Sequence, residues 1–275
     1  MANPIVKVGA VAYDPKVVTI WEGFRDYFRE AGVPTDYVLF SNYEAQVDAL
    51  FRHEIDVAWN TNVAFVRCEE RSGGASQVLG MRNSDLDFTT RLIARAGSAI
   101  QRLEDLKGKT LALGSADSAQ AAILPLHFLR QAGLEPDVDV KIVRFDLDVG
   151  KHGDTGTSEL EVLRALHQGS VDAGAVGHAT WLRQLELGQV NTTLLRSVWT
   201  SPPYDHCNFT ALPDFDHNLA QRWSEALLNM DYSDPRVRQL MDLEGLVKWL
   251  PGRKTGYDLL TEALASRRAE AAADT

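Results

Sequence analysis

Two neighbouring runs of the chain predict a strand, a loop and a helix in succession: Val140-Lys141-Ile142-Val143-Arg144-Phe145, and Asp148-Val149-Gly150-Lys151-His152-Gly153-Asp154-Thr155-Gly156-Thr157-Ser158-Glu159. The first run is apolar and β-rich. The second is polar and glycine-rich, and it leads into a helical pattern. Such a loop can present backbone N–H groups and charged side chains to a small ligand. The alternative is a solvated connection in which Ser158 caps the next helix. We favour a binding site, because a loop rarely needs Lys151 and His152 merely to turn.

Strand and helix patterns alternate along most of the chain. Runs rich in β-formers occur at residues 5–11, 37–40 and 55–59, and each is followed by an apolar pattern of helical period. A second series of the same kind runs from about residue 103 to residue 176. Because the connections are too long for hairpins, the pattern predicts an α/β protein with mostly parallel sheets flanked by helices.

Composition excludes several classes of protein. The 275 residues are 45% hydrophobic and 24% charged, with a net charge of −10, which argues against nucleic acid as a partner. Cys68 and Cys207 are far apart and predict no disulfide framework. No run of 18 apolar residues predicts membrane insertion, and no segment resembles a signal peptide. As written, the sequence predicts a cytoplasmic protein; an export signal outside it would make the protein periplasmic.

Four stretches, and a fifth later in the chain, carry a resemblance to a known family. They are Val8-Gly9-Ala10-Val11-Ala12-Tyr13, Glu54-Ile55-Asp56-Val57-Ala58-Trp59, residues 103–114, Gly169-Ser170-Val171-Asp172-Ala173-Gly174-Ala175, and Val198-Trp199-Thr200-Ser201-Pro202-Pro203. Together they resemble the phosphonate- and phosphite-binding components of ABC importers, which have the type II periplasmic-binding-protein fold. The resemblance covers roughly residues 6–262.

The resemblance implies two α/β lobes with a ligand cleft between them. The first lobe would comprise residues 1–91 and 197–275, and the second residues 92–196. The chain would cross between them near residues 88–93 and 195–200, and the lobes would close on the ligand by a hinge motion about these crossings. The family's default state is a monomer.

The resemblance also implies a set of ligand-binding residues. They are Tyr13, Asn42, Tyr43, Trp59, Asn60 and Thr61 in the first lobe, Ser115, Asp117, Ser118, Gln120, His152 and His178 in the second, and Tyr204 and His206 at the return crossing. Where phosphonate binders of this family usually read Ser-Thr-Ser, this chain reads Ser118-Ala119-Gln120, so two hydroxyl donors are missing while the helix N-terminus remains. The predicted function is binding of a small phosphonate-like ligand, anionic or zwitterionic, with an ABC permease as the partner.

The titratable residues of the same loops support a second hypothesis. A cytoplasmic enzyme on this scaffold, of the decarboxylase, lyase or hydrolase type, would use His152 as acid or base with Asp154 or Glu159 as its partner. No cofactor is expected; the alternative is a divalent transition metal. Its candidate ligands are His152, Asp154, Glu159, His178 and His206. No close-spaced pair such as His-x-His supports a metal, and Cys207 is predicted to be a buried structural thiol.

Overall fold

The computed structural model describes residues 4–273, and within it the chain forms two compact units. The first unit contains the residues up to Leu86 and Asp205–Tyr257. The second contains Asp87–Tyr204 and the described residues from Asp258 onward. No helix in this part of the chain has the length and apolar character needed to cross a membrane.

The elements follow the predicted alternation of strand and helix. The first unit begins with β1 (Val6–Val11), α1 (Lys16–Glu30), β2 (Thr35–Phe40), α2 (Tyr43–Phe51), β3 (Val57–Asn60), α3 (Asn62–Arg71) and β4 (Gln77–Arg82). The second unit follows with β5 (Thr90–Arg95), β6 (Thr110–Leu113), a π-helical turn (Ala119–Ile123) that continues as α4 (Leu124–Gln131), β7 (Lys141–Arg144), α5 (Thr157–Gln168), β8 (Ala173–Gly177), α6 (His178–Glu186) and β9 (Leu195–Thr200). The chain then returns to the first unit with β10 (Asn208–Ala211), α7 (His217–Leu228), α8 (Pro235–Glu244) and β11 (Trp249–Leu250), and α9 (Asp258–Ala273) ends in the second unit.

The two sheets are mixed, whereas the sequence predicted mostly parallel ones. The first sheet has the order β11-β4-β10-β3-β1-β2, and the second has the order β7-β6-β8-β5-β9. The pairs β1–β2, β1–β3, β6–β7 and β6–β8 are parallel. The remaining pairs involve β5, β10 or β11 and are antiparallel. The pairs of β5 and β10 are antiparallel because each of these strands enters its sheet from a chain crossing, outside any strand–helix–strand repeat.

Aromatic side chains fill the core of the first unit. Helix α1 buries Trp21, Phe24 and Phe28 at helical spacing, so one face of the helix lies on the sheet. Phe28 stacks on Trp223 of α7 at 4.8 Å between ring centroids. The ring of Phe209 lies 4.8 Å from that of Trp223, so strand β10 joins the same cluster.

In the second unit, helices cover both faces of the sheet. Leu111 and Leu113 of β6 belong to the apolar cluster that includes Leu129 of α4. Ala112, whose side chain alternates to the other face, belongs to the cluster that includes Val162 of α5. A Cβ at Gly174 would lie 2.4 Å from Val162 Cγ1, so the close approach of α5 to β8 depends on this glycine.

The last helix differs from the sequence-based expectation. The sequence placed all of residues 197–275 in the first lobe. Helix α9 instead packs on α4 of the second unit, where Arg130 forms an ion pair with Glu270 at 2.9 Å. Leu260, which is fully buried, and Leu264 supply apolar contact area that holds the helix there.

The start of α2 also differs by one residue from the pattern read in the sequence. The Ser-x-x-Glu spacing from Ser41 to Glu44 is typical of a capping box with Ser41 as the N-cap. The N-cap is Asn42 instead, and its side-chain oxygen accepts a hydrogen bond from the backbone N–H of Ala45 at 2.8 Å. Asparagine and serine are about equally good N-caps, so the spacing alone could not choose between adjacent residues.

Candidate functional site

The connection between β6 and the following helical segment gathers several of the predicted ligand-binding residues. Ser118 is the N-cap, and its Oγ accepts a hydrogen bond from the N–H of Ala121 at 3.2 Å. The hydroxyl of Ser115 donates to the carbonyl of Leu147. These bonds make Ser118 a capping residue and make Ser115 an anchor for the loop that follows β7.

Asp117 holds the loop of residues 148–159. Its Oδ2 accepts the backbone N–H of Gly150 at 2.5 Å and that of His152 at 3.3 Å. Two N–H groups of the loop are therefore used by a carboxylate of the same unit. His152 is 1% exposed and has φ 52°, a left-handed conformation that the surrounding hydrogen bonds must maintain.

The loop also packs directly on the start of the helical segment. Gly153 has φ 86°, and a Cβ there would lie 2.5 Å from Ser118 Oγ and 3.0 Å from Gln120 Nε2. Only glycine allows both this backbone conformation and this close approach. The loop of residues 148–159 therefore lies against Ser118 and Gln120, and the role of these residues as ligand contacts stays a prediction.

Glu159 is a buried carboxylate at the first turn of α5. It is 1% exposed; its Oε2 accepts the N–H of Gly177 at 2.6 Å, and its Oε1 accepts from Gln120 Nε2 at 3.2 Å. Burial raises the pKa of Glu159 above its usual range, although these hydrogen bonds act in the opposite direction. Within residues 4–273, neither lysine nor arginine forms an ion pair with it. The carboxylate is thus held by neutral donors: the N–H of Gly177, the amide of Gln120 and the side chain of Thr180.

Three buried polar atoms of the second unit lack a hydrogen-bond partner among the described residues: Asp117 Oδ1, Gln120 Oε1 and Ser158 Oγ. Leaving a buried polar atom unpaired costs about 1–3 kcal/mol. Asp117 Oδ1 and Gln120 Oε1 can only accept hydrogen bonds, whereas the hydroxyl of Ser158 can also donate one. The group is therefore richer in acceptors than in donors.

Tyr204 is a buried tyrosine that is linked to Gln120 through Thr90. Thr90 Oγ1 donates to the carbonyl of Gln120 at 3.0 Å and lies 3.0 Å from the hydroxyl of Tyr204. Burial raises the pKa of Tyr204, and the charge of Glu159 adds to this effect. The phenol is therefore neutral and can donate or accept a hydrogen bond.

His178 and Asp154, two further candidate site residues from the sequence, form hydrogen bonds with groups other than Glu159. His178 accepts a hydrogen bond at Nδ1 from Arg91 Nε at 3.2 Å, and burial together with the charge of Arg91 lowers its pKa. Asp154 lies in the same loop as His152, and its N–H donates to the carbonyl of Lys151 at 3.0 Å. No hydrogen bond described here joins His178 or Asp154 to Glu159.

In the first unit, the predicted ligand-binding residues all have structural contacts. Tyr43 and Trp59 are buried in apolar clusters, Thr61 caps α3, and Asn60 Oδ1 accepts from Gln46 Nε2 at 2.9 Å. Asn42 caps α2, and Tyr13 packs at the edge of the aromatic core with Lys16 5.9 Å above its ring. Their role as ligand contacts stays a prediction.

Gln46 is a buried polar residue that the sequence did not indicate. It is fully buried and donates a hydrogen bond to Asn60. Nothing in the surrounding helical pattern marked it as different from the other polar residues of α2.

His206 lies in a polar group of the first unit that the sequence did not predict. Its Nδ1 is 3.0 Å from Cys207 Sγ and 3.8 Å from Asp85 Oδ1. Within residues 4–273, this is the one group of three or more metal-ligating side chains close enough to share an ion. Of the metal-ligand candidates from the sequence, His206 belongs to this group. The other candidates lie outside it: His152, Asp154, Glu159 and His178.

Arg82 pairs with the acids of this group. Its guanidinium donates two bonds to the carboxylate of Asp85, at 2.7 and 2.8 Å, and one to Glu244 Oε2 at 3.3 Å. It also lies over the ring of Trp59, 5.1 Å from the centroid. Burial raises the pKa of Glu244, against the lowering effect of Arg82 and Lys16. The three-residue spacing of Arg82 and Asp85 is the feature of the local sequence that could have indicated their ion pair.

Comparison with known proteins identifies the family. The family described as "ABC transporter, phosphonate, periplasmic substrate-binding protein" matches residues 9–257. The chain belongs to this family. A probable ABC transporter phosphite-binding protein, PhnD1 of Prochlorococcus marinus (strain MIT 9301), is 24% identical over 276 residues, covering 95% of this chain and 89% of the relative.

Solved structures show the same fold. PhnD1 of Prochlorococcus marinus in complex with methylphosphonate has a TM-score of 0.74 at 21% identity, covering 96% of this chain and 98% of that one. XAC2383 from Xanthomonas citri bound to ATP has a TM-score of 0.76 at 21% identity, with the same coverage. This substrate-binding protein therefore has the type II periplasmic-binding-protein fold, as its sequence predicted. None of these similarities favours the enzyme hypothesis.

Proposed function

We propose that this chain captures a small zwitterion, with an anionic end and a hydrogen-bond-donating end, and passes it to an ABC permease. Membership of the substrate-binding family supports the transport role. The buried acceptors of the second unit support the choice of ligand. Within residues 4–273, Asp117 Oδ1 and Gln120 Oε1 are unpaired, and Glu159 lies beside Gln120 without an ion pair to lysine or arginine.

The unpaired acceptors disfavour a purely anionic ligand, because its oxygens could not form hydrogen bonds with them. A phosphonate oxygen offers lone pairs, and a carboxylate or amide oxygen cannot donate to them. An ammonium group offers N–H donors and a positive charge, both of which suit a carboxylate in a buried site. The opening of the helical segment at Ser118 would favour the anionic end, because the first N–H groups of a helix lack intrahelical acceptors.

A matched pair of ligands tests the proposal. Isothermal titration calorimetry of the whole chain would compare methylphosphonate with aminomethylphosphonate, which differ by one amino group. We expect the aminated compound to bind at least tenfold more tightly, a difference of about 1.4 kcal/mol. Tighter or equal binding of methylphosphonate would refute the ligand class, and failure of the folded protein to bind either compound would refute the proposed site.

Variants of Gln120 and Gln131 test whether the acceptors of the second unit produce the preference for the aminated compound. Gln120→Ala removes the unpaired acceptor and also the amide that donates to Glu159. Gln131→Ala, at the end of α4, is the matched control because its amide contacts only His127 among the bonds described. We expect Gln120→Ala to lose the preference for the aminated compound and Gln131→Ala to retain it. If both variants retain it, the second unit's acceptors do not select the ligand.

A further inference from the structure

We propose that Asp85, His206 and Cys207 form a binding site for a zinc ion in the first unit. The three side chains are buried, at 1%, 7% and 2% exposure. Their potential ligand atoms all lie within 4.8 Å of one another. Carboxylate oxygen, imidazole nitrogen and thiolate sulfur are ligands that zinc accepts together.

The distances between these atoms match those between the ligands of one tetrahedral ion. With zinc bonds of about 2.0–2.3 Å, two ligands of a tetrahedron are about 3.4–3.6 Å apart. His206 Nδ1 lies 3.0 Å from Cys207 Sγ and 3.8 Å from Asp85 Oδ1. The first separation is about 0.4–0.6 Å shorter than this and the second about 0.2–0.4 Å longer, so small side-chain rotations would admit the ion.

Local chain geometry holds the three residues in place. The N–H of His206 donates to the carbonyl of Asp85 at 2.9 Å, so the two segments are already joined by their backbones. Cys207 directly precedes β10. Asp85 is the last residue of a short helical turn, and Arg82 directly precedes that turn. Arg82 donates two hydrogen bonds to the carboxylate of Asp85. Such a bond from outside the ligand set orients a metal-ligating carboxylate and leaves it a lone pair for the ion.

Two of the three ligands would be anionic when a metal is bound. Asp85 brings a carboxylate, which is oriented by its ion pair with Arg82, and Cys207 would bring a thiolate. On binding, zinc would form bonds to Asp85 Oδ1, His206 Nδ1 and Cys207 Sγ, and the thiol proton would leave to solvent.

Asp85 is the second-last residue before the chain leaves the first unit at Leu86, and His206 is the second residue after it returns. An ion here would tie the outgoing segment to the returning one. Its effect would therefore be to stabilise the first unit at the point where the chain enters and leaves it. This role is separate from ligand capture by the second unit.

Metal titration of the chelator-treated chain tests the site. The protein would be incubated with zinc until its metal content is constant, and zinc per chain would be measured by mass spectrometry after dialysis. We expect one zinc per chain and a raised melting temperature. With cobalt in place of zinc, thiolate coordination should give a near-ultraviolet charge-transfer absorption.

The second cysteine provides a matched control. Cys68 is buried in the α2–α3 region and accepts a hydrogen bond from Asn60 at 3.5 Å, so Cys68→Ser should leave zinc binding and the cobalt absorption unchanged. Cys207→Ser should abolish the absorption and weaken zinc binding by tenfold or more. His206→Gln should weaken zinc binding similarly, which covers the case in which Cys207→Ser fails to fold. Equal zinc content in the wild type and His206→Gln, or a wild type that takes up no zinc, would overturn the proposal.

Discussion

Replacement of Gly153 by alanine would measure how closely the loop of residues 148–159 packs on the helical segment at Ser118. Gly153 has φ 86°, which L-residues rarely adopt. A methyl group there would also lie 2.5 Å from Ser118 Oγ and 3.0 Å from Gln120 Nε2. Both the backbone and the neighbouring side chains would have to move.

The two effects can be estimated separately. The left-handed backbone costs a non-glycine residue about 1–2 kcal/mol. Forcing a methyl group into a filled space costs about a further 1–3 kcal/mol. Gly153→Ala should therefore lower the free energy of unfolding by about 2–5 kcal/mol. Gly156, three residues on, has φ 68° but no described atom within 4 Å of its added Cβ, so Gly156→Ala should cost only the first amount, about 1–2 kcal/mol.

Urea unfolding followed by circular dichroism would compare the two variants, since the denaturant midpoint and slope together give the free energy. We expect Gly153→Ala to be the less stable by about 1–3 kcal/mol. Adding Ser118→Gly should restore part of the loss, because it removes the atoms nearest the methyl group. Equal destabilisation by Gly153→Ala and Gly156→Ala would refute the close packing of the loop on Ser118.

Three further changes probe other parts of the molecule. Burial raises the pKa of Glu159, so the folded state holds its proton more tightly than the unfolded state, and stability falls as pH rises from the unfolded pKa through the folded one; Glu159→Gln should flatten this fall in thermal melts and be the more stable form at neutral pH. Phe28→Ala removes the ring stacked on Trp223 and should cost about 3–5 kcal/mol in urea unfolding. Arg253→Ala leaves Asp205, which is 1% exposed, without its two-bond partner at 2.6 and 2.7 Å; because Arg253 is 40% exposed we expect a loss of about 1–3 kcal/mol, with a smaller loss for Arg253→Lys.

The fold was largely predictable because its elements are marked by local periodicity. Helix α1, with Trp21, Phe24 and Phe28 on one face, is read directly from the sequence. The direction of strand pairing was not predictable in this way. Strand β10 lies between β3 and β4, which are far from it in the sequence, and it pairs with both in an antiparallel sense. Which unit accepts α9 likewise depends on tertiary packing.

The candidate site was predictable in part. Ser118, Gln120 and His152 were expected on neighbouring loops, and hydrogen bonds or close approaches connect those loops. The partners of His206 were not expected. Asp85 is 121 positions away along the chain, and only folding brings its carboxylate within 3.8 Å of the imidazole.

The excess of acceptors in the second unit follows from the use that the chain makes of its own loop. The N–H groups of Gly150 and His152, which a glycine-rich loop could offer to an anion, donate to Asp117 instead. The packing of Gly153 on Ser118 keeps the loop in that position. What remains for a ligand is the second oxygen of Asp117 and the oxygen of Gln120, both acceptors unpaired within residues 4–273. We therefore propose that this loop, which looks like an anion cradle in the sequence, favours a ligand that brings hydrogen-bond donors of its own.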